Sequence, residues 1–443
     1  MLPLNEHGDL AQTLDFGNAA DLGRELHAFA AELYPICRSI TGDGIRATLN
    51  RIGQRIPLTV HEVPTGTAVF DWTTPKEWNI HDAYIKDPCG RRIIDFREST
   101  LHVMSYSRPV QARLRLEQLR PHLFTIPEHP DWIPYRTSYY KEDWGFCLSH
   151  NQLVTMEEGE YEVCIESTLE DGHLTYGECY LAGRSSEEIL ISCHICHPSL
   201  ANDNLSGISV ATFLAQQLAD RDLRYSCRLL FIPGTIGAIT WLARNQETAR
   251  RIRHGLVLTC VGDSGGFHYK KSRGGDADID RAAAIVLRHC GEESATMEFS
   301  PYGYDERQYC SPGFNLPVGC LMRSVWGTFP EYHTSADNLT FIRPLSLARS
   351  LHVCTSIIDV LEANRTCVNQ SPWCEPQLGK RGLYRSTGGE SIGQEITARL
   401  WVLNLSDGTN SLLDIAERSG LPFPVICDAA EMLTEAKLLT TVP

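Results

Sequence analysis

Short apolar runs alternate with helical patterns from about residue 165 to 365, and this alternation limits the fold more than any other feature of the chain. The apolar runs lie at 189–191, 229–232, 256–261 and 318–322, and the helical patterns lie at about 207–219, 237–251, 280–290 and 345–363. Strands that alternate with helices form a largely parallel sheet with helices on both faces. The sequence therefore predicts an α/β core whose active site gathers at the carboxyl ends of the strands.

The rest of the chain divides into regions of different texture. Residues 20–56 carry two helical patterns, and residues 69–164 carry short β-like runs broken by Pro and Gly. Residues 366–390 have the mixed composition of a linker, and a pattern typical of a winged helix-turn-helix follows. The predicted domains are a discontinuous α/β domain at 1–65 and 165–380, an inserted β-rich domain at 66–164 and a winged helix at 381–443.

Acidic residues outnumber basic ones in the whole chain and in its C-terminal part. The formal net charge is −15, and six acidic residues accompany two basic ones from Leu400 onward. A DNA-binding winged helix needs a basic recognition helix, so we expect no nucleic-acid partner. No segment approaches the roughly 18 uncharged apolar residues of a membrane span, and the first residues lack a signal-peptide pattern. We expect a cytoplasmic protein without a membrane partner; its oligomeric state stays open, a homo-oligomer included.

The segment SCHICHP at 192–198 allows three interpretations. It contains Cys-x-x-Cys-His, which attaches haem in c-type cytochromes, and its two thiols and two imidazoles are also zinc ligands. Covalent haem belongs to exported proteins, for which no signal is visible. Cys193 and Cys196 point to opposite faces if the strand continues, so we interpret them as buried packing residues. His194 remains as a ligand at a strand end, with His197 as a loop residue or a support for the ligands.

Histidines and carboxylates follow the predicted strands at their carboxyl ends. His194 ends the first strand, Asp203 lies where the next helix opens, and Asp263 ends a later strand. His333 lies in a polar loop before the last long helical pattern. Two imidazoles and two carboxylates favour zinc in a catalytic, water-retaining site. The alternatives are a helix cap for Asp203 and a simple turn for Asp263.

Four longer motifs resemble one group of proteins. They are VFDWTTPKEWNI at 69–80, HPDWIPYRTSYYKEDWGFCLSH at 129–150, HICHPSLANDNLSG at 194–207 and YHTSADN at 332–338. With the ordered histidines and carboxylates, the chain resembles the zinc aminopeptidases of the leucyl aminopeptidase and glutamate carboxypeptidase type. It resembles more closely a bacterial group of aminopeptidase-like proteins with an inserted β domain and a C-terminal winged helix. The resemblance implies a zinc-exopeptidase-like fold, a mixed and mostly parallel sheet between helices, and an association with polysaccharide biosynthesis.

The same resemblance implies roles for the four candidate ligands. His194 would bind zinc, Asp203 would bind or bridge it, His333 would bind from the other side, and Asp263 would match the later metal carboxylate. One departure concerns Cys196, which stands where the family has an Asp that orients a ligand histidine.

A second departure affects the catalytic base. Gly234, between Pro233 and Thr235, stands where the aminopeptidase pattern has a Glu pair that supplies the general base and a metal ligand. Glycine can do neither. We therefore expect one zinc ion rather than two, and Glu306 and Glu331 are the candidate catalytic residues nearest by motif.

Two function hypotheses follow from these patterns. The first is a zinc-dependent, aminopeptidase-like hydrolase of an amide or peptide bond, acting on a small peptide or an N-acylated metabolite. The second is a catalytically impaired metal-binding or scaffold protein that uses the winged helix for protein assembly. Gly234 favours the second. Hydrolysis across a panel of amides and peptides separates the two.

Overall fold

The computed structural model of the protein describes residues 16–384 and 393–442, with side chains from residue 19 onward. The helices are α1 (Phe16–Leu33), α2 (Asp43–Gly53), α3 (Leu116–Leu119), α4 (His150–Val154), α5 (Gly207–Ala219), α6 (Ile236–Arg244), α7 (Gln246–Ala249), α8 (Asp278–Arg288), α9 (Glu306–Tyr309), α10 (Pro344–Ala363), α11 (Gln394–Leu405), α12 (Leu412–Ser419) and α13 (Phe423–Glu435). The strands are β1 (Thr59–Pro64), β2 (Ala68–Val69), β3 (Trp72–Thr73), β4 (Glu77–Lys86), β5 (Arg92–Asp95), β6 (Val110–Arg115), β7 (Leu123–Phe124), β8 (Phe146–Cys147), β9 (Glu160–Glu170), β10 (His173–Leu181), β11 (Glu188–His194), β12 (Ser226–Ile232), β13 (Ile252–Leu258), β14 (Phe267–Lys270), β15 (Ser294–Met297), β16 (Val318–Met322), β17 (Thr366–Asn369), β18 (Asp407–Ser411) and β19 (Leu439–Thr441).

The largest sheet contains eight strands in the order β1-β10-β12-β11-β13-β16-β14-β15. Its central pairs, from β12 through β11 and β13 to β16, are parallel, as is the edge pair β14–β15. The remaining pairs are antiparallel. Because parallel neighbours need crossover connections, helices follow the central strands. The predicted mixed, mostly parallel sheet between helices is confirmed.

Alternate residues of the central strands pack into two apolar cores on opposite faces of this sheet. Ile189 and Ile191 of β11 belong to the first core, which includes residues of α1, α5, α8 and α10 and of the C-terminal helices. Leu190, between them, belongs to the second core, which includes residues of α6 and of the β-rich region 66–164. Successive side chains of a strand point to opposite faces, so both faces are covered. The β-rich region therefore packs directly on the main sheet and shares its second core.

The β-rich region contains a four-stranded antiparallel sheet in the order β5-β4-β9-β6. Residues 133–135 of the β-rich region lie outside this sheet and pair with the loop 333–335 of the α/β core. Ile133 donates its N–H to Ser335 Oγ at 2.9 Å, and Ser335 donates its N–H to the carbonyl of Ile133 at 2.8 Å. The N–H of Tyr135 donates to the carbonyl of His333 at 2.8 Å. The insertion thus fixes the loop that carries His333.

A three-stranded sheet in the order β18-β17-β19, together with α11, α12 and α13, forms the C-terminal unit. Its middle strand, β17, lies at the start of the stretch that the sequence suggested as a linker. These residues form a strand instead, because β18 and β19 supply backbone partners on both sides. Residues 385–390 of that stretch lie outside the described residues, and the domain boundaries at 65, 165 and 381 stay predictions. Arg281 of α8 joins this unit to the core through ion pairs with Glu417 and Asp414. None of the helices in the described ranges is long and apolar enough to cross a membrane.

Truncation of the α10 core contact tests this packing. Leu351 is 1% exposed, whereas Leu345 of the same helix is 40% exposed. We expect Leu351→Ala to lower the free energy of unfolding by about 2–5 kcal/mol, since it leaves a cavity. Leu345→Ala should change it by less than about 0.5 kcal/mol. Urea unfolding measures both, and equal losses would contradict the assigned face of α10.

Removal of the Ser335 hydroxyl tests the contact between the insertion and the His333 loop. Ser335→Ala leaves the Ile133 N–H without its partner, so we expect a loss of about 1 kcal/mol and faster hydrogen exchange at Tyr135 and Ser335. Thr328→Ala is the control, because the Thr328 hydroxyl donates only to the nearby carbonyl of Val325. Unchanged exchange in Ser335→Ala would show that the two segments do not depend on this bond.

Candidate functional site

His194 is the last residue of β11, and Asp203 lies in the turn Ala201–Ser206 that leads into α5. Hydrogen bonds to polar groups hold this turn in place. The carboxylate of Asp337 accepts the backbone N–H groups of Asn202 at 2.6 Å and Asp203 at 2.9 Å. The Asn202 side chain accepts the N–H of Gly262 at 2.8 Å. These bonds join the Asp203 turn to the loop after β13 and to the loop around Asp337. They therefore fix the backbone at Asp203.

The carboxylate of Asp203 lies at the centre of three imidazoles. His194 Nε2 is 2.8 Å from Asp203 Oδ1, and His333 Nε2 is 2.9 Å from Oδ2. His197 Nδ1 is 3.2 Å from Oδ2. The hydroxyl of Tyr304 also donates to Oδ2, at 2.7 Å. His194 and Asp203 are buried, while 34% of the His333 side chain is exposed, so the cluster opens to solvent on the side of His333.

Electrostatics keep the carboxylate charged and two of the imidazoles neutral. Burial alone would raise the pKa of Asp203, but the imidazoles of His197 and His194 hold it well below its usual value. Burial lowers the pKa of His194 and of His333, although Asp203 opposes this. A neutral imidazole has a nitrogen lone pair for a metal. His194 and His333 therefore have the neutral form that metal binding requires. Burial alone would lower the pKa of His197, but Asp203 and Cys196 raise it well above its usual value, so His197 must release a proton before it binds a metal.

Two tyrosines support Asp203 and the histidines. Because the Tyr304 hydroxyl gives its one hydrogen to Asp203, the Tyr332 hydroxyl, 2.7 Å away, donates to Tyr304. The Tyr304 ring stacks on His194 at a centroid distance of 4.5 Å, and the Tyr332 ring stacks on His333 at 3.9 Å. The tyrosines thus fix the orientation of both imidazoles and of the carboxylate.

The insertion contributes directly to the wall of the cluster. The ring of Tyr135 meets the rings of His197 and His333 edge to face, at 5.1 and 5.2 Å. The Tyr135 hydroxyl lies 2.5 Å from the hydroxyl of Tyr139. Part of the aromatic stretch that sequence analysis singled out at 129–150 therefore lies against the candidate ligands.

Strained backbone positions concentrate in the same loops. Ser199, Thr235, Cys260 and His333 are non-glycine residues with φ between 41° and 63°. The left-handed region costs L-residues roughly 1–3 kcal/mol, and it persists only where the surrounding structure imposes it, often at functional sites. The strain is consistent with loops that are held in place for the side chains they carry.

The structure brings together three of the four predicted ligands. His194, Asp203 and His333 are in direct contact, but Asp263 is not among them. Its two oxygens accept four bonds, from Asn202 Nδ2, Gly265 N and the backbone and hydroxyl of Ser324. A carboxylate has about four acceptor positions, so Asp263 has little capacity left for a metal. These contacts are those of a strand-end turn, the alternative interpretation, and the role of Asp263 as a metal ligand stays a prediction.

The two candidate bases named from the sequence are not in contact with the cluster. Glu306 is buried and its Oε1 binds Lys270 Nζ at 2.8 Å. Glu331 is half-buried, and its contacts in the described part of the chain involve its backbone carbonyl, which accepts bonds from Thr334. The Oε1 of Glu306 is therefore occupied by this ion pair.

A different carboxylate, that of Asp305, is bonded to the backbone next to Gly234. Gly234 faces the cluster, since an added Cβ would lie 3.6 Å from His194 Cβ and 3.3 Å from Cys196 Sγ. Asp305 Oδ1 accepts the N–H of Thr235 at 2.6 Å, and Oδ2 is buried without a partner among the described residues. Burial raises the pKa of Asp305 to about 7.

Sequence analysis missed several residues of this site. His197 was interpreted as a loop or supporting residue, yet its ring contacts Asp203. Tyr304 and Asp305 lie in a charged loop from which only Glu306 was selected, and Asp337 lies in the motif YHTSADN, from which only His333 was selected. The density of polar residues in those motifs was the available signal, but it does not distinguish which side chain turns inward.

The donor set fits a zinc ion. His194, His197 and Asp203 each offer one ligand atom, and these atoms lie within 4.8 Å of one another. Zinc accepts imidazole nitrogen and carboxylate oxygen, and a catalytic zinc keeps three protein ligands and an open position. His333 approaches the same carboxylate from the exposed side.

Comparisons with known sequences identify two matching families. A family described as a domain of unknown function (DUF4910) matches residues 27–364, and a winged helix-turn-helix family matches residues 365–441. A protein of Clostridium acetobutylicum is 53% identical over 426 residues, which are 96% of this chain and 98% of that protein. Its name assigns it provisionally to polysaccharide biosynthesis and mentions an aminopeptidase-like domain.

Solved structures show the same relationship. A crystal structure from Clostridium acetobutylicum, provisionally described as a peptidase, is 51% identical, with a TM-score of 0.92 over 96% of this chain and 98% of its own. A zinc aminopeptidase from Bacillus subtilis is 12% identical, with a TM-score of 0.56 over 76% and 94%. A peptidase M28 precursor from Shewanella amazonensis is 13% identical, with a TM-score of 0.55 over 78% and 96%. The last two share the fold. The chain belongs to the DUF4910 family and has, as predicted, an aminopeptidase-like fold with a C-terminal winged helix.

Proposed function

We propose that the protein is a metal-dependent hydrolase of an amide or peptide bond. The observation that carries this proposal is the Asp203 carboxylate, which is in contact with His194, His197 and His333 at the strand-end edge of an aminopeptidase-like sheet. Ligands in such sheets bind at the carboxyl ends of the strands. The C. acetobutylicum relative, with its aminopeptidase-like domain, is consistent with this proposal.

The metal we propose is one zinc ion, held by His194, His197 and Asp203 with His333 as the fourth candidate. A bound zinc would polarise a carbonyl and lower the pKa of a water molecule to roughly 7. The chain's own groups prepare this site. Asp337 positions the backbone of Asp203, and the Tyr304 hydroxyl orients its carboxylate. Groups that orient ligands in this way affect metal affinity by roughly 10- to 100-fold.

Asp305 is the carboxylate that we propose as the proton acceptor in place of the missing glutamate. Its Oδ2 is free of partners in the described part of the chain, and its Oδ1 is fixed to the Thr235 backbone. A carboxyl group with a pKa near 7 can take up and return a proton at neutral pH. Glu306 is less suited, because Lys270 already neutralises it.

The substrate that we propose is a small peptide or an N-acylated metabolite, and the name of the relative suggests one connected with polysaccharide biosynthesis. The aromatic wall formed by Tyr135 and Tyr332 around His333 supports a substrate that enters on that side. Tyrosine side chains offer apolar ring surface and a hydroxyl for hydrogen bonds, which suits amide substrates with apolar groups. A cytoplasmic location, no nucleic-acid partner and self-association remain part of the proposal.

Asp203→Ala tests the metal site. We expect the wild-type chain to retain about one zinc ion and to hydrolyse members of a panel of aminoacyl and N-acyl amides. Asp203→Ala should lose the zinc and reduce hydrolysis by at least roughly 100-fold, since a charged ligand is absent. His81→Ala, an exposed histidine of the insertion, is the control. Zinc content is measured by inductively coupled plasma mass spectrometry, and hydrolysis by amine release.

The outcomes distinguish the two hypotheses from sequence. A wild-type chain that stays free of metal after incubation with zinc would contradict the proposal. Stoichiometric zinc without hydrolysis of the panel would favour the scaffold function, for which the missing side chain at Gly234 is the supporting observation.

Asp305→Asn tests the proton acceptor. The amide keeps an oxygen for the Thr235 N–H but accepts no proton, so we expect kcat to fall by roughly 10²- to 10⁴-fold with zinc content unchanged. Glu331→Gln is the rival substitution and should leave kcat within twofold. A large loss in Glu331→Gln, with none in Asp305→Asn, would identify Glu331 as the base.

A further inference from the structure

A second cavity lies between the α/β core and the C-terminal unit, away from the Asp203 cluster. This interdomain cleft has a volume of about 780 Å³. The core contributes the turn before β12, β13 and the C-terminus of α10, and the C-terminal unit contributes β17, β18, α12 and β19. Small-molecule sites have volumes of about 300–1,000 Å³ and often lie between domains.

Two arginines of the interdomain cleft have donors to spare. Arg224 donates to the carbonyl of Asn364 at 2.7 Å, and Arg365 donates to the carbonyl of Ala363 at 3.2 Å. The two guanidinium groups are thus bonded to the carbonyls of consecutive residues, and both arginines line the interdomain cleft. Among the described residues, no carboxylate forms an ion pair with either. Each guanidinium has five N–H donors, so most of them remain for an anion.

The nearby carboxylates are already engaged. Glu362 accepts the backbone N–H groups of Arg224 and Tyr225, which fixes the turn that carries Arg224. Asp278 and Asp414 both bind Arg281. Each carboxylate that lines the interdomain cleft therefore has a partner, whereas Arg224 and Arg365 have no carboxylate partner among the described residues.

A buried histidine beside these arginines also lacks a partner. His254 lines the interdomain cleft and is 7% exposed, and its Nδ1 has no hydrogen-bond partner in the described part of the chain. Burial lowers the pKa of His254 to about 4, so the ring is neutral at pH 7. A buried polar atom without a partner costs roughly 1–3 kcal/mol.

We propose that the interdomain cleft binds a small molecule that carries a phosphate group, with the phosphate at Arg224 and Arg365 and a polar group near His254. Guanidinium groups match phosphate oxygens with paired, charge-assisted hydrogen bonds. The cleft is much larger than phosphate itself, which leaves room for the rest of the molecule. Because both units line the cleft, the bound molecule stabilises their contact. This site is independent of the proposed hydrolysis.

Calorimetry on the full chain tests the proposal with defined probes. The probes are inorganic phosphate, ADP, UDP, glucose 6-phosphate and citrate. We expect at least one phosphorylated organic probe to bind at least roughly tenfold more tightly than inorganic phosphate or citrate, and to raise the melting temperature. Arg224→Gln and Arg365→Gln should each weaken that binding by at least roughly tenfold. Arg250→Gln, an exposed arginine that pairs with Glu247, should not change it.

Further variants locate the bound probe. Asp203→Ala should retain the binding, which separates the interdomain cleft from the candidate metal site. Arg365→Lys keeps the charge with fewer donors and serves if Arg365→Gln fails to fold. The proposal is overturned if no phosphorylated probe binds at millimolar concentration, if citrate binds equally well, or if Asp203→Ala abolishes binding while the arginine variants retain it.

Discussion

The buried, charged carboxylate of Asp203 is the interaction on which the candidate site depends. An isolated carboxylate removed from water is strongly destabilising unless hydrogen bonds and opposite charges compensate it. Asp203 receives that compensation from His194, His197, His333 and Tyr304, which lie on three separate loops. Their positions are therefore coupled, and a shift of one loop leaves part of the carboxylate without a partner.

The surrounding architecture fixes those loops from two sides. The main sheet and Asp337 hold the Asp203 turn, and the insertion holds the His333 loop through backbone bonds at 133–135. The insertion also places the ring of Tyr135 against two of the imidazoles. A β-rich segment far from the histidines in the sequence thus shapes the site.

Two departures from the aminopeptidase signature coincide with groups from other positions. Cys196 replaces the expected carboxylate, and the next residue, His197, contacts Asp203 with its ring. Gly234 has no side chain, and Asp305, from another loop, accepts the N–H of the next residue, Thr235. The candidate site thus combines three histidines with carboxylates from the Asp203 turn and from the loop that carries Asp305. Such rearrangement is consistent with a chemistry related to, but distinct from, that of the zinc aminopeptidases.

The sequence by itself determined the α/β class, the β-rich insertion, the winged helix and the pairing of His194 with Asp203 and His333. These follow from periodicity within a segment and from the rule that loops after parallel strands meet at one edge. The tertiary structure decided that Asp263 faces its own turn, that Asp305 binds the Thr235 backbone whereas Glu306 pairs with Lys270, and that β17 joins the C-terminal sheet. Each of these depends on contacts between segments far apart in the chain. Local patterns do not record those contacts, because burial and hydrogen-bond satisfaction arise only when the segments pack.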